Sequence, residues 1–157
     1  MAIGENVSLA GSKVYVTADR ATEHTPAAFE ALTTFTEVQG VISADLPKEE
    51  ANFEEVALLN GTTVPYLGSR SLTSQTIVML WENADPGQML VRANDNTDVP
   101  VSFKFELPSG DIVYASGLIG GAGTPKGGDS SARRESEFTV RSTYDSNRVG
   151  AVYVPAP

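Results

Sequence analysis

The sequence contains no cysteine. A disulfide framework, a zinc–thiolate site and a cysteine nucleophile are thereby excluded. Histidine is almost missing as well. His24 stands alone in a polar stretch (ATEHTPAAF, residues 21–29) that reads as a surface turn. One histidine suffices for a catalytic triad, but no Gly-x-Ser-x-Gly elbow accompanies it. Nothing in its surroundings has the spacing of a zinc site built with carboxylates. Long apolar runs are absent too: the longest strictly apolar stretch is Ile77–Val78–Met79–Leu80–Trp81. A membrane helix needs about 20 such residues, so the chain is expected to be soluble, with no membrane partner. The opening MAIGENVSLAGSKVYV has no basic segment followed by an apolar core, so no signal peptide is expected.

Positive charge is scarce. Eleven Lys and Arg face twenty Asp and Glu, for a net charge of −9. The deficit is uneven, since residues 1–60 hold ten of the acids and only Lys13, Arg20 and Lys48 as bases. A duplex-DNA binder neutralises phosphates with clustered Lys and Arg, and that footprint is missing. The same composition suits a surface that surrounds DNA without gripping it.

The motifs that would carry catalysis fail at named residues. Residues 117–134 (GLIGGAGTPKGGDSSARR) include six glycines, but Lys126 follows Pro125 and precedes Gly127. A Walker loop requires Gly-Lys-Ser/Thr entering a helix, and a dinucleotide fingerprint requires Gly-x-Gly-x-x-Gly opening one. The stretch therefore reads as a long loop. Acid pairs such as Glu49/Glu50, Glu54/Glu55 and Asp95/Asp98 are expected by number alone among twenty acids. Asp95 to Asp98 lacks calcium-loop spacing, and a glycosidase pair needs a cleft that sequence does not display. We assign no catalytic, cofactor-binding or metal-binding residue and expect no enzyme activity.

What is present is β patterning in one domain, residues 1–157. Val101, Phe103, Phe105 and Leu107 alternate with Ser102, Lys104 and Glu106. Pro108–Ser109–Gly110–Asp111 supplies a turn, and residues 112–119 return as the second strand of a hairpin. Further strands are predicted at 13–17, 32–42 (with Gly40 as a bulge), 74–81, 137–144 and 151–154. Residues 74–81 are apolar on both faces, which fits a central strand or one covered by another subunit. One helix is predicted at 85–94, with Asp85 as N-cap, Pro86 at the first position and Met89, Leu90 and Ala93 as its buried stripe. Residues 45–61 fit either a capped helix or a strand followed by a loop, and periodicity does not separate the two.

This order resembles the tail tube (major tail) proteins of long, non-contractile-tailed bacteriophages. The resemblance spans roughly residues 30–145. It rests on Thr34–Val41 (TFTEVQGV), Glu54–Leu59 (EEVALL), Pro65–Gly68 (PYLG), the strand 74–81, the helix 85–94, the Leu107–Asp111 turn, the glycine-rich loop and Phe138–Thr143 (FTVRST). It implies a mostly β fold, a β-sandwich or partly closed barrel with one flanking α-helix and long loops at 60–73 and 117–134. It also implies an N-terminal arm at 1–12 and a strand plus loop at 45–61. The implied function is self-assembly into stacked hexameric rings forming a tail tube in the virion, assembled in the host cytoplasm. DNA would pass through without specific binding, and the partners would be tape measure, distal tail and terminator proteins. Glu37, Glu106 and Glu137 are expected at the lumen. Glu54, Glu55, Pro65, Tyr66 and Arg70 are expected between rings, and Ile77, Val78, Met79, Leu80 and Trp81 on a subunit-covered strand. The alternatives are a tail-terminator or capsid-decorating protein, and a carbohydrate-binding β-sandwich using Tyr66, Trp81 and Tyr144.

Overall fold

Strict alternation sets the centre of the molecule. In the computed structural model, which describes residues 10–157, β7 (Val101–Glu106) pairs antiparallel with β8 (Ile112–Gly120). Phe103 and Phe105 turn to one side and are buried. The turn closes with Gly110 at φ 91°, a conformation that glycine adopts without steric cost. Around this hairpin lie β1 (Lys13–Thr17), β2 (Thr36–Glu37), β3 (Val41–Ala44), β6 (Ser74–Leu80), β9 (Glu135–Ser142) and β10 (Val152–Val154). They form one eight-stranded antiparallel sheet ordered β2-β1-β7-β8-β9-β6-β3, with β10 paired to the first half of β8. The fold is mostly β, as expected.

The sheet is open but strongly curled. Its two edges, β2 and β3, are separated in the chain only by Val38, Gln39 and Gly40. Val38 N–H donates to Val14 O at one edge, and Gly40 O accepts from Leu80 N at the other. The residues expected as one strand at 32–42 thus split into β2, a corner and β3. Gly40 has φ 75° at that corner. Inside the curl, Val14, Val16, Ile77, Met79, Phe103, Phe105, Phe138 and Val140 form the main core. Burying each such side chain contributes roughly 1.5–3 kcal/mol.

The helix α2 (Pro86–Ala93) caps the corner. Asp85 is its N-cap, accepting from Gln88 N, and also accepts from Gln39 N. Gln88 is wholly buried: Nε2 donates to Gln39 O (2.9 Å) and Leu80 O (2.7 Å), and Oε1 accepts from Glu82 N. The backbone at Gly87 comes so close that a Cβ there would lie 2.2 Å from Glu37 O. The inward stripe is therefore Gly87, Gln88 and Val91. Of the expected Met89, Leu90 and Ala93, Leu90 is half-buried against the main core, whereas Met89 and Ala93 are exposed, because the corner carbonyls call for a donor and a close approach rather than bulk.

Three further expectations change. A second short helix, α1 (Pro26–Glu30), joins the one predicted, with Thr25 as N-cap and Pro26 at its start. Its Phe29 stacks on Tyr114 at 5.0 Å and, with Val152, forms a small second core on the other face of the sheet. The segment 60–73 is no long loop: it contains the ten-residue strand β5 (Thr63–Leu72). Strand β8 runs to Gly120, so the glycine-rich connection starts at Gly121 and leads to β9. Of the N-terminal arm at 1–12, residues 1–9 lie outside the described residues.

Replacing Gln88 with Leu should lower stability by about 2–4 kcal/mol, since each buried group left without a partner costs on the order of 1–3 kcal/mol. Met89→Ala, at an exposed position, should stay within about 0.5 kcal/mol. Urea unfolding of the two variants checks the contrast.

Candidate functional site

Residues 49–72 leave the body as a two-stranded arm. Here β4 (Glu49–Ala57) pairs antiparallel with β5, with a register shift between Ala51 and Phe53. The strand-plus-loop reading of 45–61 holds for the strand. The tip is a tight turn: Leu58 N–H donates to Thr62 O, and Gly61 sits at φ 87°. That geometry matches a three-residue hairpin loop with glycine in the left-handed region. At roughly 3.3 Å per residue the arm is about 30 Å long.

The arm is apolar on both faces. Cross-strand partners Phe53 and Leu67 are 78% and 62% exposed. Val56 and Val64 pair three residues nearer the tip, on the opposite face, and are exposed as well. Leu59 at the tip is fully exposed. Contacts with the body gather at the root, where Leu72 is buried against Gly150 and Tyr144 Oη donates to Glu49 Oε1 at 3.3 Å. Glu49 also pairs with Arg70 (3.3 Å). A two-stranded hairpin alone in water is marginally stable, and exposed apolar surface on such an element marks an interaction site.

The expected inter-ring residues Glu54, Glu55, Pro65, Tyr66 and Arg70 all fall on this arm. Glu54 and Tyr66 face each other across the strands, and the hydrogen bond that the Tyr66 hydroxyl donates to the Glu54 carboxylate raises the phenol above its ordinary pKa. Arg70 lies at the root. The covered-strand set divides. Ile77 and Met79 are fully buried in the chain's own core, so no second subunit is needed to cover them. Only Val78, half-buried, and Leu80, exposed, occupy the outer face. Trp81 lies past the end of β6 beneath the Arg92 guanidinium, 4.5 Å from the ring centre. The expected lumen acids divide as well. Glu37 and Glu106 flank Tyr15 and, after burial, are the next causes raising its pKa. Glu137 lies on β9, three strands from β1, within 3.4 Å of Lys126 Nζ. Tyr66, Trp81 and Tyr144 lie on separate elements, with Trp81 at the end of β6 remote from the arm's root.

His24 is not the exposed turn residue the sequence implied. It is buried, and its Nδ1 lies 2.8 Å from Val149 O and 2.9 Å from Gly150 O. Both oxygens are acceptors, so Nδ1 carries the proton. Its backbone N–H donates to Asp145 Oδ2. Asp145 Oδ1 accepts from Asn147 N and Val149 N. These backbone donors, His24 first, hold the Asp145 carboxyl below its usual range. The cluster fastens the 143–151 connection to α1's approach and presents no open reactive atom. Among the described residues no three His, Asp or Glu side chains converge to hold a metal ion, and no helix is long and apolar enough to cross a membrane.

The fold has likenesses among solved structures. No family model and no curated protein matches the chain. Among solved structures, a chain from the anti-feeding prophage cap, a tube-terminating cap, matches with a TM-score of 0.58 at 12% identity. That match covers 99% of this chain and 97% of the other. A chain from the virion of a native gene transfer agent particle matches with a TM-score of 0.51 at 17% identity, covering 76% and 88%. At these identities the likeness is one of fold.

Amides of β4 and β5 should exchange with solvent far faster than those of β7 and β8, as hydrogen exchange by mass spectrometry reports. The Asp145 cluster sets an acid limit. Its carboxyl titrates lower in the folded chain than in the unfolded one, so its contribution is complete above about pH 4 and is lost as pH falls through the lower folded value. Asp145→Asn should flatten that part of the stability–pH curve, measured by thermal melting.

Proposed function

We propose that this chain is a structural protein of a phage-type tail, one that self-assembles into stacked hexameric rings to form the tail tube. The observation that carries the reading is the arm. An element that exposes apolar side chains on both faces and joins the body only at its root is marginally stable alone and is stabilised when neighbouring copies cover it. The likeness in fold to a gene transfer agent virion chain and a prophage cap chain supports a place in such a particle. The role is assembly, not catalysis. The acid excess keeps the wall of the tube from binding phosphates, so DNA slides past without specific contacts. Tape measure, distal tail and terminator proteins are the partners that such a tube requires, and the virion tail is its location.

A second reading, a tube-terminating cap, is favoured by the cap chain that matches over 99% of this chain. A cap closes a tube with one ring and does not propagate. Negative-stain electron microscopy of concentrated protein separates the readings. Tubes of stacked rings are expected. Single rings that never stack assign the cap. Strict monomers, even when seeded with tail tips, overturn both.

A further inference from the structure

The sheet's failure to close leaves a groove of about 360 Å³ between the start of β1 and β3. Val14, Val41, Ile42, Leu46, Phe105 and Leu107 line it, and Lys13 is its one charged lining residue. On β3 the groove meets an open strand edge, since β3 is last in the sheet order and pairs there only with β6 among the described residues. Such an edge is a template for an added strand. The molecule thus has an apolar recess next to an open edge, and an arm tip at which Leu58 is partly exposed and Leu59 is fully exposed among the described residues.

We propose that the tip of one copy's arm docks in the β1–β3 groove of a second copy, with Leu59 entering the recess. This rests on the assembly reading above and names the contact through which assembly proceeds. Three observations point to the occupant. Beyond its ion-paired root, the arm carries Glu54 and Glu55 and, from Ala51 to Ser69, no base, which complements Lys13 at the groove. Leucine side chains match a lining of aliphatic residues and Phe105. Finally, the groove lies at the arm's own root, because Leu46 lines it and only Pro47 and Lys48 separate Leu46 from β4. The tip stands about 30 Å from that root, so no arm enters its own groove. The contact is head-to-tail between different surfaces, and each copy both gives an arm and receives one.

The cysteine-free sequence permits a clean test. Leu59→Cys and Ala44→Cys variants are mixed, allowed to assemble and oxidised mildly. A disulfide between the two variants is expected, since bridging needs Cα atoms within about 7 Å. Pairing Leu59→Cys with Ser109→Cys, in the β7–β8 turn, should give none. Leu59→Asp, at a fully exposed site, should melt like the parent chain yet need at least ten-fold more protein to assemble. If the parent chain assembles while the tip–groove disulfide is absent and Leu59→Asp assembles at the parent concentration, the docking is wrong and the assembly reading stands. If removal of residues 1–9 blocks assembly and Leu59→Asp does not, the groove belongs to the chain's own N-terminal residues and the docking is overturned. If the parent chain never assembles, both readings fall together.

Discussion

The curled sheet depends on one buried amide. Gln88 holds two carbonyls that belong to different places in the fold, Gln39 O at the corner and Leu80 O at the end of β6. Asp85 completes the fastening by taking the Gln39 amide while capping the helix that carries Gln88. With these bonds in place, the three residues between β2 and β3 turn sharply enough for one stretch of chain to serve both edges of the sheet. Without them, buried backbone groups would have no partners, and the corner would straighten toward the single long strand that residues 32–42 favour locally. The core follows from the curl, because Val14 and Val16 meet Ile77 and Met79 only when the sheet bends around them.

The same bend stops short of a barrel. A closed barrel has no edges, whereas this sheet retains an apolar slot beside β3. The residues that follow β3 run straight into the arm. The most adhesive features of the molecule therefore sit along one continuous stretch, from residue 41 to residue 72. The body is a self-sufficient core with a second small core around Phe29 and Tyr114. That stretch joins the body through Val41, Ala44, Leu46 and Leu72 and leaves the apolar side chains of the arm uncovered.

Much of this was legible in the sequence. The β7–β8 hairpin followed from alternation, and α2 from its Asp–Pro start. Other features were hidden for physical reasons. The inward stripe of α2 is Gly87, Gln88 and Val91, a set that hydrophobic spacing cannot single out, because a polar side chain there satisfies distant carbonyls. The α1 signal, Thr25–Pro26, was readable as a cap followed by proline, but the helix is only five residues long. His24 looked exposed because its neighbours are polar, while its partners at 145–150 are over a hundred residues away. The arm misled in a different way. Glu-rich β4 has weak strand propensity, and Pro65 and Gly68 read as loop residues. Pairing between the two strands overrides both.

An arm supported in the isolated chain by its own cross-strand bonds has a kinetic consequence. If copies join through the proposed arm–groove contact, a first encounter between two of them would have to order one arm and fill one groove against the full loss of translational freedom, so new assemblies would start rarely. A growing end would already present grooves in register, and each arriving copy would complete several contacts at once. Growth from an existing end would then outpace spontaneous initiation, and the acid excess, repelling copies at long range, would widen that gap further. The number of assemblies formed would then be set by how many starting ends exist rather than by how much of this chain is made.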